Sequence, residues 1–315
     1  VTAPREGFRR FIGIDLGGGR GKNTAVARLE ITKSVDGCVR LGVSEAKVRY
    51  GQRGTGQLSD EPAGGRSARG GDALFRDDVL VDYLERWVDE HTVVAVDAPL
   101  TLPPCIRCSL PCPGVSECTV PVVQWMSRWA PQLRRRGQSD RAKPSVTPYT
   151  QRATEVLWAA MGVRPREALG QGTGPLAARA AYLRRILSPR LRLHENLLEV
   201  HPKATLIRLV GSAMERRTRH GDAESVWNAR KKVLSGLSEG IAFDYVWPEL
   251  VVRNTHVFYA VVCAYTGFLW SRRRWRGPAQ LRKPDTEPEQ DVVREAANDL
   301  SDLWIEDGWI FAPPA

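Results

Sequence analysis

Apolar and polar positions alternate with two different periods along this chain, and the changes of period mark its elements. Phe11-Ile12-Gly13-Ile14-Asp15-Leu16 is an apolar run with an acid near its end, which reads as a strand. Thr24–Ile31 and Val39–Val48 read as two more strands, and strands joined so closely predict antiparallel pairing. Between them and the next strand the period lengthens. In Asp77–Glu90, Val79, Leu80, Tyr83, Leu84, Trp87 and Val88 recur at the spacing of one helical face. Val93-Val94-Ala95-Val96-Asp97 is again an unbroken apolar run closed by an acid, as in a strand buried on both faces. Farther on, helices are predicted over Thr147–Met161, Pro175–Leu187, Ala223–Leu237 and Thr255–Trp270, and short strands at Leu197–Val200 and Trp304–Phe311. The aromatics Trp158, Trp227 and Trp270 fall on helix faces and are assigned to the core or its cover. No internal repeat and no linker interrupts the series. The order predicts one α/β domain over residues 1–315, a single sheet with two insertions. One is a glycine-rich loop at 51–72, the other a cysteine-rich stretch at about 103–145.

Composition changes this picture little, but charge adds a partner. With 315 residues, 42% hydrophobic and 26% charged, the chain is ordinary for a globular protein with a packed core. The net charge of +10 and a pI near 9.6 suit a polyanion, and nucleic acid is the expected partner. Arginine carries most of the charge, with only eight lysines. Clusters stand at Arg134-Arg135-Arg136, Arg184-Arg185, Arg216-Arg217 and Arg272-Arg273-Arg274-Trp275-Arg276. The last mixes guanidinium groups with an indole, a combination that stacks on bases and binds phosphate. It equally suits cations closing a helix C-terminus. No apolar run is long enough to span a bilayer, and no export signal is apparent, so a cytoplasmic protein without membrane contact is expected.

Four of the six cysteines lie within fourteen residues as Cys105-x2-Cys108-x3-Cys112-x5-Cys118, directly after the Val93–Asp97 run. In a reducing compartment such a cluster points to metal rather than disulfides. Four thiolates suit structural zinc, while Cys108-x3-Cys112-Pro113 is also compatible with an iron–sulfur cluster. Spacing alone leaves zinc, iron–sulfur and a metal-free loop open. Cys38 and Cys263 stand apart, in segments that read as strand and helix.

The turn Gly17-Gly18-Gly19-Arg20-Gly21-Lys22 is not a nucleotide loop of either common kind. Leu16 stands where a Walker loop needs its first glycine, Asn23 replaces the hydroxyl, and a strand follows where a phosphate-binding helix is required. What remains is an acid, a glycine turn and a second strand, an arrangement that lets backbone and carboxylate approach phosphate or metal.

Three acids, Asp15, Asp97 and Glu199, share one setting at or near the end of an apolar strand. Acids so placed can converge on one sheet edge and bind Mg²⁺ or Mn²⁺, and two such ions support phosphodiester cleavage. His201, two residues beyond Glu199, is a supporting candidate on the same strand face.

A series of short motifs now carries a resemblance: Ile12-Gly13-Ile14-Asp15, Val96-Asp97-Ala98-Pro99-Leu100-Thr101-Leu102-Pro103, Glu199-Val200-His201-Pro202, Cys263-Ala264-Tyr265-Thr266-Gly267 and Glu306-Asp307-Gly308-Trp309-Ile310. Together they resemble an uncharacterised, domain-of-unknown-function family of predicted nucleases with the RNase H-like fold. The resemblance implies a mixed five-stranded sheet flanked by helices, here with a cysteine-rich metal-binding insertion, and two-metal hydrolysis of nucleic acid. It places Asp15 on the first strand and Asp97 on the fourth as ligands of the metal pair, with Glu199 on the fifth completing the set. Resolvases of this fold act as dimers, so a homodimer is compatible with it.

The chain departs from that pattern once. Related sequences open a late helix with an acidic D/H-x-x-D-A motif, whereas this one reads His256-Val257-Phe258-Tyr259-Ala260. His256 can ligate metal or transfer protons; Tyr259 is a poor replacement for a carboxylate. Three readings follow: a metal-dependent nuclease or resolvase using Asp15, Asp97, Glu199 and His256; a non-catalytic nucleic-acid-binding protein of the same fold; and a phosphotransferase of the actin and sugar-kinase type. The stretch after Asp97 lacks the second glycine-rich hairpin that the last requires. No G-x-S-x-G turn supports a serine hydrolase.

Overall fold

The structure, a computed structural model, describes residues 7–18, 23–33, 39–49, 77–129, 146–237, 241–242, 246, 248–273, 275, 277, 296, 304 and 307–314. In chain order these form β1 (Arg10–Asp15), β2 (Thr24–Lys33), β3 (Val39–Arg49), α1 (Asp77–Trp87), β4 (Thr92–Asp97), α2 (Pro104–Arg107), α3 (Pro121–Trp129) and α4 (Ala153–Ala160). The second half holds α5 (Gly174–Ile186), β5 (Leu197–Val200), α6 (Pro202–Arg217), α7 (Ala223–Leu237), β6 (Ile241–Ala242), α8 (Pro248–Arg253), α9 (Thr255–Arg273) and β7 (Ile310–Phe311).

The strands make one mixed sheet in the order β6-β3-β2-β1-β4-β5-β7. β1, β2 and β3 pair antiparallel, as their close spacing predicts, while β4 is parallel to β1 and β5 to β4. The sheet therefore has seven strands among the described residues, where five were expected; the two-residue β6 and β7 extend its edges. Each edge addition is too short to leave a period in the sequence.

Strand alternation divides the core. Phe11, Val93, Ala95 and Leu198 lie in one apolar layer with α9, whose residues from Val257 to Trp270 are mostly buried. A helix apolar on all sides belongs in an interior. Ile12, Ile14, Val94, Val96 and Leu197 face the opposite way, against Leu80 and Leu84 of α1 and Ala180 and Leu183 of α5. Gly13 explains how α9 comes so close. A Cβ on this residue would stand 1.9 Å from the Ala260 carbonyl oxygen and 2.4 Å from the Ala264 nitrogen. Only glycine admits the helix backbone there.

Some boundaries move. The helix expected over Thr147–Met161 begins at Ala153, because Thr147–Thr150 forms a separate turn. The strand expected over Trp304–Phe311 is extended only at Ile310–Phe311; Gly308, at φ 88°, breaks the run. The cysteine-rich stretch contains α3, and α6 follows β5 directly. The glycine-rich loop at 51–72, Cys38, Arg134-Arg135-Arg136, Gly19 to Lys22 and Glu306 lie outside the described residues.

Candidate functional site

Asp15 and Asp97 end adjacent parallel strands and stand level, paired in register. Residues paired in this way project to the same face. They form the floor of a cleft of about 640 Å³. Besides the buried Arg152, its basic side chains are Arg164 and Arg166 between α4 and α5, Lys203 in the first turn of α6, and Arg219 just beyond α6. Arg164 and Arg166 are exposed, whereas Arg219 is held by Glu215 at 2.5 Å. Gly17 and Gly18 form another part of the wall. Their turn is tied down by Gly17 N–H donating to Thr24 Oγ1 (3.0 Å) and by Arg179, which donates to the Gly17 carbonyl (2.6 Å).

α9 brings His256 over the floor. Asn254 Oδ1 accepts from the backbone N–H of His256 (3.0 Å) and Val257 (3.1 Å), a side-chain cap on the helix start. The His256 ring then meets Asp15, Nδ1 to Oδ2, at 2.6 Å. Asp15 is pushed up to about 6 by burial, with the neighbouring charge of Asp97 adding to the rise and the His256 hydrogen bond opposing it. His201, the residue before α6, comes within 3.4 Å of Asp97 Oδ1 through its Nδ1. Tyr259, one helical turn after His256, is half-buried in the same wall, and burial pushes its hydroxyl well above the ordinary tyrosine range.

Glu199 also reaches the cleft but is otherwise engaged. It is level with Val96, one residue before Asp97, so the pleat sends its side chain to the opposite face from the two aspartates. Arg152 grips it with Nη1 to Oε2 at 2.7 Å and Nη2 to Oε1 at 2.5 Å, and Leu100 N–H donates to Oε2 at 2.8 Å. The same guanidinium donates to Glu155 Oε1 from Nε (2.9 Å) and Nη2 (2.7 Å), and to Thr101 Oγ1 from Nη1 (2.8 Å). Burial opposes the charge on Arg152, but Glu199 and Glu155 outweigh it and raise the guanidinium above its usual range. Burial pushes Glu155 up to about 7, because one cation faces two enclosed carboxylates. Next to this cluster, buried Asp307 accepts from Ala153 N–H (2.9 Å) at the start of α4 and from Arg107 Nη2 (2.5 Å).

Sequence reasoning passed over Arg152, Glu155 and the basic residues of the cleft, and quoted Asp307 within a motif without giving it a role. The one local signal was the i, i+3 spacing of Arg152 and Glu155. Of the four cysteines expected to bind zinc or an iron–sulfur cluster, Cys105 and Cys118 are half-buried, Cys108 and Cys112 exposed, and all four are free thiols. Among the described residues, no three His, Cys, Asp or Glu side chains stand ready-placed around a common metal position. Trp275 is buried in the core at 5% exposure and is not presented for stacking on a base. No described helix is long and apolar enough to cross a membrane.

A family model described as "Protein of unknown function (DUF429)" matches residues 13–287, and the chain belongs to that family. No curated protein and no solved structure matches it.

Proposed function

For this member of the DUF429 family we propose a divalent-metal-dependent nuclease built on an RNase H-like core. One observation carries the reading: Asp15 and Asp97 stand level on parallel strands at the floor of a cleft with Arg164, Arg166, Lys203 and Arg219 in its walls. An acidic floor under basic walls is suited to a substrate that is anionic and to a cation between the two. The order β3-β2-β1-β4-β5, antiparallel on one side of β1 and parallel on the other, supports the fold assignment.

The donor set fits Mg²⁺ or Mn²⁺ in part. Paired carboxylates are the hard oxygen donors such ions take, and Asp15 is raised first by burial, with the neighbouring charge of Asp97 adding to it. Glu199 does not complete the set in this reading, since Arg152 and the Leu100 amide occupy both its oxygens. It positions the turn after β4 instead. A bound cation supplies Lewis-acid stabilisation of the phosphoryl oxygens. The chain's own residues do the rest. Asp15 fixes the His256 ring through Nδ1, which leaves Nε2 to take or give a proton. The arginines and Lys203 hold the phosphates on either side of the scissile bond.

Tyr259, where the resemblance leads one to expect an acid, favours a second reading in which nucleic acid is bound without turnover. Both are tested with single-stranded, duplex and branched DNA and RNA. Cleavage with Mg²⁺ or Mn²⁺ that disappears in chelator and in Asp97→Asn supports the nuclease. Binding that persists in chelator, with no cleavage under either metal, supports the second reading. A chain that does neither refutes both.

A further inference from the structure

α6 contributes to the cleft at both of its ends. Lys203 in its first turn and Arg219 just beyond its last both line the walls. An unbroken helix would hold these two positions about 24 Å apart. α6 is broken at Gly211, whose φ of 82° and ψ of 158° belong to a region that only glycine adopts freely. A Cβ on Gly211 would meet nothing within 4 Å, so the glycine serves the bend and not packing. After the bend, Glu215 is buried at 2% exposure. It takes one edge of the Arg219 guanidinium, Oε1 accepting from Nε (2.5 Å) and Oε2 from Nη2 (3.2 Å). The end of the fork, Nη1 with the second Nη2 hydrogen, has no partner among the described residues. A planar end with two N–H groups matches two oxygens of a phosphate.

The turn that carries Arg219 is also tied to the start of α9. Buried Arg230 donates from Nε to the Thr218 carbonyl (3.0 Å), from Nη1 to the Val252 carbonyl (2.8 Å) and from Nη2 to Thr255 Oγ1 (2.6 Å). Thr255 opens α9 and precedes His256, which meets Asp15. Side chain and turn are thus both fixed on folding. Arg164 and Arg166 contrast with this: both are exposed, and neither makes a hydrogen bond or ion pair among the described residues.

We propose that Arg219, preset by Glu215 and by the bend at Gly211, grips one phosphate group of the substrate and fixes its place over Asp15 and Asp97, whereas Arg164 and Arg166 attract the polyanion without fixing it. The inference rests on the reading of the cleft as a site for nucleic acid, and not on turnover. An arginine that binds a ligand gives up rotamer freedom. Arg219 has given it up on folding, so its hydrogen bonds order a phosphate at little further loss. Glu215 is the positioning residue.

The test uses the full chain. Inorganic phosphate is titrated at constant ionic strength while the arginine Nε–H signals are followed by NMR. Before phosphate is added, Arg219 Nε–H should exchange with water about tenfold or more slowly than those of Arg164 and Arg166, and phosphate should shift it. Glu215→Gln should remove both effects, and Arg219→Lys, which keeps the charge without the fork, should weaken phosphate binding. Single-stranded DNA with one phosphate at a time replaced by neutral methylphosphonate gives a second measure. One position should cost the unaltered chain about tenfold or more in affinity and cost Arg219→Gln nothing. Phosphate that shifts Arg164 and Arg166 but not Arg219, or equal losses at every position in both proteins, would overturn the proposal. Cleavage of nucleic acid with either of those results leaves the nuclease reading standing and removes this one. A phosphate shift at Arg219 in a chain that neither binds nor cleaves nucleic acid keeps the phosphate site and removes the nuclease reading.

Discussion

Two pairs of carboxylates lie at the same end of one sheet, and the protein treats them in opposite ways. Glu199 and Glu155 share the buried guanidinium of Arg152, and Thr101, which accepts from it, and the Leu100 amide, which donates to Glu199, complete a closed cluster. Asp15 and Asp97 are level and adjacent, and among the described residues the His256 and His201 imidazoles and the more distant Arg166 stand against their charge. Neutralising a buried acid with a fixed partner makes a structural joint, which is costly to break and has no capacity for a ligand. Leaving acids side by side at the floor of a cleft is unfavourable for folding and keeps that capacity. The contrast separates scaffold from site without appeal to any relative.

The strongest way to break the contrast is to remove the cation from the closed pair. Arg152→Met strands two enclosed carboxylates and should cost about 3–5 kcal/mol in urea unfolding; a cost below about 1 kcal/mol would mean the cluster is not the joint described. The same operation on the open pair should act on activity rather than stability. Asp97→Asn is expected to reduce metal-dependent cleavage by a factor on the order of 10²–10³ while shifting unfolding by less than about 1 kcal/mol. Comparable stability losses in both variants would erase the distinction.

Acidity sharpens it further. Folding raises Asp15 to about 6 and Glu155 to about 7, above the value near 4 that carboxyls have in an unfolded chain. The native state therefore binds more protons. Stability is fully present below about pH 4 and is lost as pH rises through about 6 and about 7, by on the order of 1–3 kcal/mol for each group. Urea midpoints in chelator at about pH 4.5 and about pH 7.5 should show the fall. Asp15→Asn should remove one part of it and Glu155→Gln the other, and added Mg²⁺ should relieve only the Asp15 part. The smallest effect is expected at the cleft wall: Arg166→Ala should weaken nucleic-acid binding and lower the salt slope by about 1, with cleavage of bound substrate nearly unchanged.

How much of this could be read in advance depended on how local its cause was. β1 and β4 were legible because burial on both faces leaves an unbroken apolar run, and α1 because one face alone is apolar. Asp15 and Asp97 were found as strand-end acids. That Glu199 serves Arg152 was not, because the partner lies 47 residues away and an arginine after Thr150-Gln151 carries no sign of full burial. The hydrogen bond between His256 and Asp15 spans 241 residues and exists only through the packing of α9 on the sheet. Of the strand expected over Trp304–Phe311 only Ile310–Phe311 is extended, since the aromatics fill the core around Gly308, a residue whose positive φ no apolar pattern announces.

Gly13 sits two residues before Asp15, where the α9 backbone lies directly over β1. The missing side chain there is a spacer of zero thickness. It sets the height at which the helix rides above the strand, and hence the reach of the imidazole at the helix's near end. A single methyl group at this position would lift α9 as on a shim and draw His256 off the carboxylate. The proton between them would move without any change to a group that carries one.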